Sequence, residues 1–139
     1  MMIDMNKLIE IYKLIDWNAS AEDNKVGIDM ARKIDNLQFF IQPFTEQFNK
    51  NIWENCAVIL SNKSDSDISP YLKELLFWLQ DMNWPGAQRI YDRFLHYEND
   101  SLFYQVYEEC EKMAANTTDE IWLENLFSLK RARQEITKP

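Results

Sequence analysis

The chain has 139 residues, of which only two are glycine and 46% are hydrophobic. Gly27 and Gly86 stand far apart, which excludes the closely spaced glycines of a dinucleotide fingerprint or a phosphate loop; valine and threonine total seven, so strand-favouring residues are scarce. The net charge of −8 lacks the basic surplus that nucleic-acid binding needs.

Helical periodicity predicts helices nearly end to end. Met5, Leu8, Ile9, Tyr12 and Ile15 form one stripe that stops near Trp17-Asn18. Ser20 opens a second helix with Val26, Met30, Ala31 and Ile34 on its inner face, and Gly27 inside it implies a close helix contact. A third is predicted through Leu37, Phe40, Ile41, Phe44 and Phe48, kinked or restarted at Pro43. Asn51 is placed to cap a fourth, faced by Trp53, Cys56, Ala57 and Leu60. The polar run 61–67 reads as a loop.

Ser69-Pro70 then resembles a cap and first-turn proline for a helix carrying Ile68, Tyr71, Leu72, Leu75, Leu76, Leu79 and Met82. Asn83-Trp84-Pro85 redirects the chain into a sixth helix with Ala87, Ile90, Tyr91 and Phe94 inward. A seventh carries Phe103, Val106, Tyr107, Cys110, Met113 and Ala114. Thr117 and Glu120, spaced as a capping box, open the last, which carries Trp122, Leu123, Leu126 and Phe127. Lys130, Arg131 and Arg133 near its end complement the helix dipole.

The first members of successive pairs begin near residues 3, 37, 68 and 100, and LIDWN at 14–18 echoes LQDMN at 79–83. Helix pairs at that spacing predict an all-α fold. The arrangement expected is a right-handed α-solenoid, a HEAT-like array of about four helix pairs forming one domain over 1–139. A non-repetitive helical bundle is the alternative.

Catalytic parts are few. His96 is the sole histidine, and Cys56 and Cys110 lie on apolar stripes, as reduced core thiols in a cytoplasmic protein would. These three form no zinc-ligand cluster. Asp65 and Asp67 begin like a calcium loop but lack its glycine and its late glutamate. The Asp81–Trp84 turn reads as an interhelical corner, with a ligand-accessible turn as the alternative. No catalytic residue, cofactor or metal is therefore expected. The N-terminus is not a signal sequence, and no apolar run is long enough to span a membrane.

Charge is unevenly placed. Residues 98–124 hold eight acids and one base, a net −7, leaving −1 for the rest. An ordinary solvated face is one account; a surface that steers and docks a basic protein is the other. On the second account Tyr104, Glu108, Glu109, Glu111 and Asp119 are the candidate partner-binding residues.

The tract LLFWLQDMNWPGA, Leu75 to Ala87, with IQPF and WENCAVIL before it, resembles a family of small bacterial HEAT-like proteins. Members are often encoded beside polymorphic toxins and classed as immunity proteins. The resemblance implies a cytoplasmic, non-enzymatic protein, monomeric or weakly dimeric, that binds and neutralises a cognate toxin, possessing no chemistry of its own. A general HEAT-like adaptor for a cellular peptide or helix is the second expectation. A helical-repeat enzyme of nucleic-acid repair would need a basic groove, which the charge disfavours.

Overall fold

A computed structural model describes residues 4–137. All regular structure among them is helical: α1 (Met5–Leu14), α2 (Ala21–Ala31), a 3-10 turn (Leu37–Phe40), α3 (Lys50–Ser61), α4 (Asp65–Ile68), a 3-10 turn (Ser69–Tyr71), α5 (Leu72–Phe77), a 3-10 turn (Trp78–Gln80), α6 (Ala87–Phe94), α7 (Asp100–Asn116) and α8 (Glu120–Thr137).

Local chemistry explains most boundaries. Ser20 caps α2 by accepting the Asp23 amide at 3.0 Å, as its position predicts. Cap selection differs at three other starts: Ser69, expected as a cap, instead donates to the Asp65 carbonyl at 2.6 Å. Asn49 caps α3 through the Lys50 amide, while Asn51 accepts the Asn49 amide and donates to Asp16. At α8 it is Asp119 that accepts the Trp122 amide at 3.0 Å. Thr117 instead donates back to the Met113 carbonyl at 2.9 Å and ends α7.

Two segments depart from the periodicity. The predicted third helix shrinks to the Leu37–Phe40 turn. Pro43 cannot donate to a helical ladder, Gln42 adopts φ 42, and the Pro43 carbonyl is taken by the Trp53 indole at 2.8 Å. Phe44 is consequently exposed rather than inward. Conversely, the expected 61–67 loop contains the start of α4, capped when Ser64 accepts the Asp67 amide.

The buried side chains form one hydrophobic cluster running from Leu8 on α1 to Leu129 on α8. Helix α1 packs on α2, α2 on α3, α3 on α6 and α6 on α8; α5 packs on α7, and α7 on α8. Met5, Ile9 and Val26, expected inward, lie exposed, because α1 and α2 bury only the narrower stripe of Leu8, Ile11, Tyr12, Ile15, Gly27 and Ala31. Met113 on α7 and Phe127 on α8 are also exposed.

Candidate partner-binding surface

Helix α7 presents the acidic segment. Asn99 caps it through the Leu102 amide, and Phe103, Tyr107, Cys110 and Ala114 form its buried stripe. At 100° per residue the remaining positions fall on two flanks. Tyr104, Glu108 and Glu111, spaced by four and three, share one flank. Glu109 lies on the other, where it meets Lys73 of α5 at 3.9 Å. Asp119 sits in the α7–α8 turn as the α8 cap. Three of the five predicted residues therefore share a flank, and two do other work.

The Tyr104 flank faces α8. Tyr104 meets Phe103 edge-on, with centroids 5.0 Å apart, and Tyr107 at 6.0 Å. The Lys130 ammonium lies 5.7 Å from the Tyr107 ring centroid, and the Arg133 guanidinium 4.0 Å from that of Phe103. Burial, then the charges of Glu111 and Tyr104, push the Tyr107 phenol well above its ordinary range. Its hydroxyl is buried and has no hydrogen-bond partner among the described residues.

Arg133 has a role that dipole complementarity does not describe. Only 3% exposed, it is the one buried charged residue among those described. It donates to the Phe94 carbonyl and, at 2.9 Å, to that of Tyr97, and pairs with Asp100 at the start of α7. It thus ties the last carbonyl of α6 and that of Tyr97 beyond it to α8 and fixes the turn into α7. A signal for this existed, since Trp122, Leu126, Leu129 and Arg133 repeat at helical spacing on the inward stripe.

The Trp-Pro-Gly tract forms an interhelical corner. Asp81 accepts the Asn83 amide at 2.8 Å, and Trp78 donates its indole N–H to the Pro85 carbonyl at 3.0 Å. Trp84 stacks edge-on against Trp53 at 5.8 Å. Gly86 adopts φ 87, and a Cβ there would lie 2.8 Å from the Trp53 carbonyl oxygen, so both conformation and space require glycine. Its amide donates to Glu54, which also pairs with Arg89. These contacts assign Asp81, Trp84 and Gly86 structural work.

The cysteines sit in apolar surroundings. Burial pushes the Cys56 thiol far up, and Cys110 is pushed up to about 11, chiefly by burial. No three His, Cys, Asp or Glu side chains among the described residues are grouped to hold a metal ion. No helix among them is long and apolar enough to cross a membrane. Two concavities, of about 340 Å³ beside Phe127 and Ser128 and about 300 Å³ beside His96 and Tyr97, are lined by mixed charged and apolar groups.

A domain of unknown function, DUF5071, matches residues 49–137, well over half the chain. The chain belongs to this family. No curated protein and no solved structure matches it. The DUF5071 match begins at Asn49, the α3 cap, and runs to the end of α8, so it contains the Trp-Pro-Gly corner, the Arg133 node and the acidic flank. Helices α1 and α2 and the 37–40 turn precede it.

Proposed function

We propose that this DUF5071 chain is a non-enzymatic protein-binding module of the immunity type, which covers the basic face of a cognate toxin in the cytoplasm and so blocks it. The observation that carries the reading is charge segregation: residues 98–124 hold −7 of the −8 total. Asp100, Glu108, Glu120 and Glu124 are exposed there, where negative charge raises encounter rates with a basic partner. The likeness of the Leu75–Ala87 tract to small proteins encoded beside toxins supports the same reading.

The scaffold we propose is a HEAT-like solenoid of four pairs, α1/α2, the 37–40 turn/α3, α5/α6 and α7/α8. Repeated chemistry favours it over an irregular bundle. Asp16 accepts the Asn18 amide and Asp81 the Asn83 amide, each at 2.8 Å, so the LIDWN and LQDMN echo corresponds to one turn used twice. Asn55 of α3 donates to the Ile15 carbonyl at the end of α1, and Asn125 of α8 to the Leu79 carbonyl after α5. Each of these asparagines, on the second helix of a pair, closes the first helix of the pair before.

The test is association kinetics with the product of the adjacent gene, which this reading expects to be a toxin. Charge reversal by Glu108→Lys and Glu109→Lys together is expected to slow association about tenfold at low salt, with the difference shrinking at high salt. Unchanged binding at both ionic strengths overturns the acidic-surface reading. Failure of the chain to rescue cells expressing that toxin overturns the immunity reading.

A further inference from the structure

A buried hydroxyl without a partner is a standing cost to a fold, and a phenylalanine at position 107 would avoid it. Tyr107 nevertheless carries that hydroxyl, 1% exposed, at the seam between α7 and α8. The groups near it are matched to a cation. The half-buried Tyr104 ring lies edge-on to it at 6.0 Å, Glu111 follows one turn later, and Glu108 stands exposed beside them. Two cations already rest on these rings: the Arg133 guanidinium, held by its own partners, lies 5.5 Å from the Tyr104 centroid, and the Lys130 ammonium, on a flexible stem, 5.7 Å from that of Tyr107.

We propose that this seam is a receptor for an arginine side chain of the protein partner. The guanidinium packs on the accessible side of Tyr104, moves Lys130 aside, and donates to the Tyr107 hydroxyl oxygen and the Glu111 carboxylate, with Glu108 adding charge. Arginine suits the site better than lysine. Its planar fork of donors serves a hydroxyl and a carboxylate at once, and it gives up water more readily. The inference rests on the protein-binding reading above and names what the partner inserts.

The experiment is an amide NMR titration of the full chain with a capped Gly-Arg-Gly peptide and with lysine and citrulline counterparts. Shifts caused by the arginine peptide are expected at 104–112 and 127–131, with weaker binding of the lysine peptide and none of the citrulline one. Tyr107→Phe is expected to weaken arginine-peptide binding at least about fivefold while leaving the thermal midpoint equal or higher. Lys130→Met, which removes the cation on the flexible stem, is expected to strengthen it, so the two variants move in opposite directions. Glu10→Gln, an exposed carboxylate on α1, is expected to leave it unchanged.

Shifts centred elsewhere, or equal affinity of wild type and Tyr107→Phe, would overturn the proposal. Equal affinity for the lysine peptide would overturn the choice of arginine. Should Tyr107→Phe fail to fold, weaker or equal binding by Lys130→Met still overturns the site. The two readings also separate. Cognate-toxin binding indifferent to Tyr107→Phe sinks the receptor alone, whereas a working peptide site with no toxin neutralisation sinks the immunity reading alone.

Discussion

Arg133 is the buried charged residue among those described, and its burial is matched by its partners. Removing a guanidinium from water costs several kcal/mol. Two carbonyls, the Asp100 carboxylate and the Phe103 face offset that cost. Asp65 braces the same α6–α7 turn from α4, accepting from Arg93 at 2.6 Å and from the Glu98 amide at 3.0 Å. Burial pushes its carboxyl up, but the Glu98 amide, Arg93 and the more distant Arg133 charge outweigh this and hold it below the ordinary value. A depressed carboxyl stabilises the fold above the unfolded-state value of about 3.9 and loses that contribution as pH falls through the folded value. Urea midpoints followed from neutral pH to about pH 2.5 should therefore fall more steeply below about pH 4 for the wild type than for Asp65→Asn. The variant should be the less stable of the two at neutral pH. Parallel curves would refute this account.

At the scale of elements, helix α2 shows two opposed effects at one position. Glycine in a helix interior costs up to about 1 kcal/mol relative to alanine. A Cβ on Gly27, however, would fall 2.7 Å from Ile15 Cγ2 and 2.8 Å from Leu14 Cβ. Leu14 Cβ is fixed to the α1 backbone and cannot swing away, so relief requires the two helices to part. Overpacking of this kind costs about 1–3 kcal/mol and outweighs the propensity gain. Gly27→Ala should lower stability by about 1 kcal/mol in chemical denaturation, and an increase would show that α1 and α2 approach less closely than described. The unformed helix after residue 40 follows the same logic in reverse: its apolar spacing is adequate, but Pro43 and the Trp53 indole claim the backbone groups a helix would need.

For the whole molecule, the segment before the DUF5071 match behaves as a cover for α3. Asn55 donates to the Ile15 carbonyl and Asn51 to the Asp16 carboxylate, both across that boundary. The Trp17 amide reaches the Asn51 carbonyl, and the Trp53 indole the Pro43 carbonyl. Removing residues 1–48 would strip these contacts and open the apolar surface against which Leu37 and Phe40 lie. A chain reduced to 49–137 is expected to aggregate or melt without cooperativity, as judged by light scattering and calorimetry. A monomeric fragment with a sharp transition near the full chain's would show instead that the family region folds unaided.

Much of this was legible in one dimension because helices are local. Apolar spacing of three and four located α1, α2, α3, α5, α6, α7 and α8, since the hydrogen bonds that make a helix join residues four apart. The charge of 98–124 is likewise a property of the chain alone. Tertiary packing decided what each flank of α7 meets: Lys73 on α5 for Glu109, Lys130 on α8 for the Tyr104 and Tyr107 side. It also made Arg133 a buried clamp rather than a terminal charge and left the Tyr107 hydroxyl without a partner among the described residues. Those outcomes depend on groups about 20 to 40 positions apart along the chain, and sequence periodicity describes one helix, not the neighbour against which it lies.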